Sequence, residues 1–240
     1  MKRIKLTVAY DGTNYCGWQD NGITIEEVLN RELSKLLQED IKIIGASRTD
    51  SGVHALGNVA VFDTQTRIPP EKISFALNQR LPDDIRIQES CQVADDFHPR
   101  FCDTIKTYEY RIWNDKFPNP LVRLYSKFCY FHVDIAKMEQ AAAYLVGEHD
   151  FKSFCTPRTQ VESTVTEISF RTEGKMIIMT IRGTGFLYNM VRIIMGTLLK
   201  CGMKMYPPEH VKEILDAKDR AAAGPKAEAC GLQLVGIEYL

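Results

Sequence analysis

Over its first hundred residues the chain changes hydrophobic period in a fixed order, and that order restricts the folds open to it. Ile4, Leu6 and Val8 alternate with Lys5 and Thr7, the period of a half-buried strand. Thr24 with Glu27 three residues later is a capping-box pattern, and Ile25, Val28, Leu29, Leu33 and Leu36 then mark one helical face. Short apolar runs at 41–44 and 59–62 have strand character. Pro69 and Pro70 open a second helix that runs to about residue 79, and 84–88 alternates again. Strand, helix, strand, strand, helix, strand is the split βαβ order, which predicts an α+β fold with an antiparallel sheet and helices on one face.

The remainder predicts strands over 107–113 and 125–132, a helix over 135–145, strands over 164–171 and 176–182, helices over 186–199 and 209–217, and a last strand over 233–238. A boundary near residue 100 gives an N-terminal half, 1–100, and a C-terminal half, 101–240. The expected architecture is two split-βαβ (ferredoxin-like) halves sharing a mainly antiparallel sheet with a central cleft. A hydrophobic fraction of 45% over 240 residues suffices for a sizeable core. Lys2 and Arg3 are followed by no apolar core of signal-peptide length, and no run is long enough to cross a bilayer, so a cytoplasmic protein is expected. The seven cysteines are odd in number, scattered and free of C-x-x-C pairs, which argues against a disulfide framework or a zinc site.

Chemistry concentrates in the connection from Gly45 to Ala55, where Arg48, Thr49, Asp50, Ser51 and His54 fall within seven positions fenced by Gly45, Gly52 and Gly57. Asp50 is a carboxylate fit to act as nucleophile, general base or metal ligand, Arg48 suits phosphates or base edges, and His54 titrates near neutrality. The plainer alternative is that Asp50 and Ser51 shape a polar turn before a glycine.

Arg48-Thr49-Asp50-Ser51-Gly52-Val53-His54-Ala55 resembles the active-site motif of the TruA family of tRNA pseudouridine synthases, usually R-T-D-A-G-V-H-A, with Ser51 in place of the common Ala. Further blocks match in family order: Tyr10-Asp11-Gly12-Thr13, Gly17-Trp18-Gln19, Phe97-His98-Pro99-Arg100, Lys106-Thr107-Tyr108-Glu109-Tyr110, Gly185-Phe186-Leu187-Tyr188-Asn189-Met190-Val191-Arg192 and Ala229-Cys230-Gly231-Leu232. The weakest match is Ile25-Glu26, where the family commonly has Val-Gln.

The resemblance implies that Asp50 is the catalytic nucleophile and Arg192 the arginine that pairs with it. Arg48 would take part in flipping the target base into a pocket, which chemistry on a stacked base requires; its alternative is a structural salt bridge. Tyr108 resembles the tyrosine that packs on the uracil, although in a strand Tyr108 and Tyr110 share a face and geometry does not choose between them. Leu187 either lines the uracil pocket or fills the core. His54 is expected to be structural. The family acts on uridines 38 to 40 of the tRNA anticodon stem and loop, without cofactor or metal, as a homodimer with tRNA crossing both subunits.

A formal net charge of −1 counts against indiscriminate nucleic-acid binding, but the charge is segregated. Between 97 and 130 six basic residues face three acidic ones, and between 170 and 204 six face Glu173 alone. Arg100, Lys116 and Arg123 are candidates for RNA-backbone contacts, and the aromatics interleaved with them, Phe101, Tyr108, Tyr110, Trp113, Phe117 and Tyr125, are candidates for base stacking or for the core. Two rivals keep some of these features. One is a non-catalytic RNA-binding protein; the other is a retaining glycoside hydrolase, which needs a second carboxyl group about 5 Å from the first.

Overall fold

The computed structural model describes residues 1–19, 22–156 and 162–240. Contacts within the chain define two compact units, Met1–Asp103 with Leu234–Leu240, and Thr104–Gln233.

The first unit runs β1 (Lys2–Tyr10), α1 (Ile25–Leu37), β2 (Ile44–Gly45), β3 (His54–Thr64), α2 (Pro70–Asn78) and β4 (Ile85–Val93). β1 lies between β3 and β4, antiparallel to β3 with Leu6 opposite Ala60 and antiparallel to β4 with Leu6 opposite Ser90. Its period of two is spent as expected: Ile4, Leu6 and Val8 are buried, and the residues between them reach the surface in part. α1 starts where Thr24 Oγ1 accepts the Glu27 N–H at 3.2 Å and stops at Gln38, which turns left-handed at φ 55°. Its buried stripe is Ile25, Val28, Leu29, Leu33 and Leu37, with Leu37 rather than Leu36 closing it. Each such side chain contributes about 1.5–3 kcal/mol of burial free energy.

The 41–44 strand shortens to Ile44–Gly45. The Ile41 and Ile43 N–H groups bond to Ser34 Oγ at 3.0 Å and Asn30 Oδ1 at 2.8 Å on α1, so they are not offered to a neighbouring strand.

The second unit contains β5 (Thr104–Asn114), β6 (Lys127–Cys129), α3 (Ile135–Ala142), β7 (Gly147–Asp150), β8 (Glu162–Glu173), β9 (Met176–Gly183), α4 (Met190–Gly202) and α5 (His210–Ala217). β5, β9, β8 and β7 pair antiparallel in that order, and β6 adds a short parallel pairing to β5, Ile112 opposite Lys127, which makes the sheet mixed. Strand structure in 125–132 is thus confined to three residues, and β7 lies where none was expected. α4 is the hub of this unit, buried on nearly every face from Met190 to Gly202. It begins four residues later than the expected 186 because Asn189 is left-handed at φ 63°, a conformation asparagine tolerates and a helix does not continue. Close approach to α4 is made by Gly224, whose N–H bonds to Thr197 Oγ1 at 3.0 Å, and at Gly196, where a Cβ would strike the Pro225 carbonyl.

The last strand, β10 (Leu232–Tyr239), enters the first unit from Leu234 and pairs there with β3. Among the described residues the chain therefore has an α+β architecture with five α-helices. All seven cysteines are free thiols.

Candidate functional site

Between β2 and β3 the chain leaves regular strand structure once the Ala46 N–H has met the Val59 carbonyl at 2.7 Å, and burial alternates along it. Ser47 and Thr49 are buried, Arg48 is exposed and Asp50 is half-buried. The buried pair anchors the backbone. Thr49 Oγ1 bonds to the Tyr10 hydroxyl at 2.7 Å, and Asn58 Nδ2 donates both to that hydroxyl at 3.3 Å and to the Ser47 carbonyl at 3.0 Å. The Trp18 N–H donates to the Thr49 carbonyl at 3.1 Å, while the Gly52 N–H and Ser51 hydroxyl both donate to the Tyr15 carbonyl. A turn closes behind the carboxylate as the Val53 N–H meets the Asp50 carbonyl at 3.1 Å, with Gly52 at φ 77°.

The segment 12–18 cradles this loop. Gly17 has φ 84°, and a Cβ on it would lie 2.5 Å from the Thr49 carbonyl oxygen; the fully buried Trp18 indole occupies the space a side chain at Gly45 would need. His54 is buried, and its Nδ1 accepts the Gly12 N–H at 3.1 Å and lies 3.1 Å from Asp11 Oδ1. Backbone rigidity of this kind holds a reactive side chain without using that side chain. The sequence alone assigns no site role to the anchors Tyr10, Thr49 and Asn58; Tyr10 carries a signal in the Tyr10-Asp11-Gly12-Thr13 block and Thr49 in the motif itself, and Asn58 carries none.

Arg100 gives its Nε–H to the Gly45 carbonyl at 2.6 Å, which brings it to the base of the same segment. Burial and then the nearby Arg48 cation push the Arg100 pKa below its ordinary value, with Glu26 opposing them. Glu26, in the first turn of α1, answers in kind: burial raises its carboxyl pKa, and Arg100 and Arg48 pull it back. Arg48, Arg100 and Glu26 are thus one charge cluster beside Asp50's loop, and Glu26 stands where the family pattern has a neutral amide.

In the second unit Tyr108 sits on β5 opposite Ile181, is 6% exposed, and meets the Phe186 ring edge to face at 5.3 Å. Tyr110 is committed elsewhere: its hydroxyl donates to the Glu228 carbonyl at 2.8 Å and its ring fills the space beside Gly231. Leu187 is half-buried just ahead of α4, and its carbonyl accepts the Met190 N–H at 3.0 Å. Arg192, on the first turn of α4, donates from Nε to the Ala227 carbonyl at 2.8 Å and from an Nη to Asn189 Oδ1 at 3.4 Å.

Lys116 and Arg123 lie exposed on the connection from β5 to β6. Lys116 Nζ stands 5.3 Å over the Phe117 ring and Arg123 caps the Pro120 carbonyl at 2.8 Å. Much of the local basic excess is balanced in place. Glu109 takes Arg171 at 2.8 Å and Arg111 at 3.3 Å, Lys127 meets Glu228 at 2.6 Å, and Lys175 faces Asp115 at 3.8 Å. Among the described residues no three His, Cys, Asp or Glu side chains gather as a metal site, and no helix is long and apolar enough to cross a membrane.

Comparison with known proteins places the chain in a family. A family model described as tRNA pseudouridine synthase matches residues 6–102 and 141–240. A tRNA pseudouridine synthase A of Ruminiclostridium cellulolyticum is 46% identical over 245 residues, covering 100% of both chains. Proteins of the same name from Acetivibrio thermocellus (43%) and, as synthase A 2, from Clostridium perfringens (44%) also align over 100% of both chains.

Proposed function

Because the chain belongs to the tRNA pseudouridine synthase family, we propose that it isomerises uridine to pseudouridine in tRNA, with Asp50 as nucleophile. The reaction breaks the bond from ribose to a base nitrogen, turns the base, and rejoins it through carbon. No electrons and no phosphate are exchanged, so a carboxylate suffices and neither cofactor nor metal is required.

The observation that carries this reading is the alternation in the motif loop. Buried Ser47 and Thr49 fix the backbone, which leaves Arg48 and Asp50 presented from a rigid support. Arg48 is assigned to extruding the target base, Tyr108 and Leu187 to packing against the uracil, and Arg192 to balancing the charge of Asp50. Arg100, Lys116 and Arg123 are assigned to the RNA backbone. The targets are uridines of the anticodon stem and loop, positions 38 to 40. We further infer two split-βαβ halves that share a sheet around a catalytic cleft, and a cytoplasmic homodimer across which the tRNA lies.

The test is to incubate the protein with unmodified tRNA transcripts and map pseudouridine by position. Product confined to the anticodon arm supports the proposal. Tight binding without product on any tRNA favours a non-catalytic RNA-binding protein instead.

A further inference from the structure

Of the nine aromatic residues between 97 and 130, six are candidates for base stacking by their sequence setting, and the structure separates those six. Tyr108 and Tyr110 are buried, Trp113 gives its indole N–H to the Phe117 carbonyl at 3.0 Å, and Phe117, 68% exposed, has Lys116 Nζ 5.3 Å over its ring with no aromatic neighbour stacked on it among the described residues. Phe101 is 83% exposed against 43% for Tyr125. Yet one face of Phe101 is stacked on the His98 imidazole, with centroids 4.1 Å apart and planes 20° from parallel.

The turn beneath that stack is bonded throughout. The His98 carbonyl accepts the Phe101 N–H and the Cys102 thiol, each at 3.3 Å, and His98 Nδ1 accepts the Arg100 N–H at 3.2 Å. The Pro99 carbonyl receives the Tyr239 hydroxyl at 3.2 Å, and the Phe97 ring packs on the Tyr239 ring at 5.0 Å. Arg100 ties the turn to Gly45, from which the chain runs on to Arg48 and Asp50.

A phenyl ring held by one face and bare on the other, one residue from a guanidinium, has the chemistry of a nucleotide platform. Any base supplies a π-face to stack, and its phosphate takes the cation. A paired base offers no such face, so the ligand must be unpaired. We propose that the outer face of Phe101 stacks one unpaired base of the bound RNA, with Arg100 meeting that nucleotide's phosphate. The inference rests on the reading of tRNA as substrate.

The test compares full-length wild type, Phe101→Ala and Phe101→Trp for binding to a tRNA transcript and to a fully paired RNA stem, with sedimentation and thermal melts as controls. Phe101→Ala weakens tRNA binding about 5- to 100-fold and stem binding less than about twofold, while Phe101→Trp stays within about threefold of wild type on both. The platform is overturned if Phe101→Ala binds tRNA like wild type, or if it loses both RNAs equally. It is also overturned if only the oligomeric state changes, which makes the ring a protein–protein contact. Failure of the substrate reading looks different: wild type itself then binds no tRNA, and platform and substrate fall together. If wild type modifies tRNA and Phe101→Ala matches it, the platform alone falls.

Discussion

Arg192 and Ala227 hold each other twice: the arginine Nε–H donates to the Ala227 carbonyl at 2.8 Å, and the Ala227 N–H donates to the Arg192 carbonyl at 3.0 Å. The guanidinium is thereby fixed on its Nε edge, with a further bond to Asn189. Lysine has a single point charge and cannot reproduce a fork held at one edge. Arg192→Lys is expected to lower kcat by roughly 10²-fold or more while tRNA affinity changes less than about threefold. Single-turnover rates set beside filter-binding affinities check this. An equal loss in both would make Arg192 a binding residue.

The Tyr10–Thr49 bond is buried and joins β1 to the motif loop. Thr49→Val leaves the Tyr10 hydroxyl its Asn58 bond and costs about 0.5–1.5 kcal/mol, Tyr10→Phe takes a partner from both Thr49 and Asn58 and costs about 1–3 kcal/mol, and the double variant costs less than the sum. Urea unfolding of the four proteins measures the coupling. Strict additivity would mean the two hydroxyls do not interact in solution.

Gly17 combines a φ of 84° with the Thr49 carbonyl 2.5 Å from any added Cβ. Gly17→Ala is expected to destabilise by about 2 kcal/mol or more and to lower activity by displacing the Asp50 backbone. Gly236, with nothing within 4 Å of a built Cβ, is the control: Gly236→Ala stays within about 1 kcal/mol of wild type. Denaturation midpoints and pseudouridine yield decide both.

Burial alone raises the Glu109 carboxyl, but Arg171 and Arg111 outweigh it and hold its pKa below the usual carboxylate range. A depressed folded-state value means stability present above the unfolded pKa and lost as pH falls through the folded one. Wild type therefore melts higher than Glu109→Gln near neutral pH, and the gap narrows as pH falls below about 4. Melting curves across that range test the sign; a gap that widens in acid contradicts it.

Most elements were legible because period and caps act locally. β1 and α1 follow directly from alternation at Ile4 to Val8 and from Thr24 with Glu27. What failed depended on partners distant in sequence or on one backbone angle. β2 is short because Ser34 and Asn30 take the N–H groups of Ile41 and Ile43 just ahead of it, and α4 starts late because Asn189 turns left-handed. The two tyrosines of β5 could not be told apart by spacing; Tyr110 is distinguished by Glu228, 118 positions away. Likewise the motif named Asp50 but not the 39-position bond from Tyr10 to Thr49 that steadies its loop.

The central claim is that the Asp50 carboxylate performs the isomerisation, and pseudouridine yield from wild type and Asp50→Asn on the same unmodified tRNA tests it most directly, with affinity measured alongside. The account predicts product with wild type, a loss on the order of 10⁴-fold or more with Asp50→Asn, and tRNA binding kept within a few-fold. Product from Asp50→Asn at a rate near wild type would contradict it.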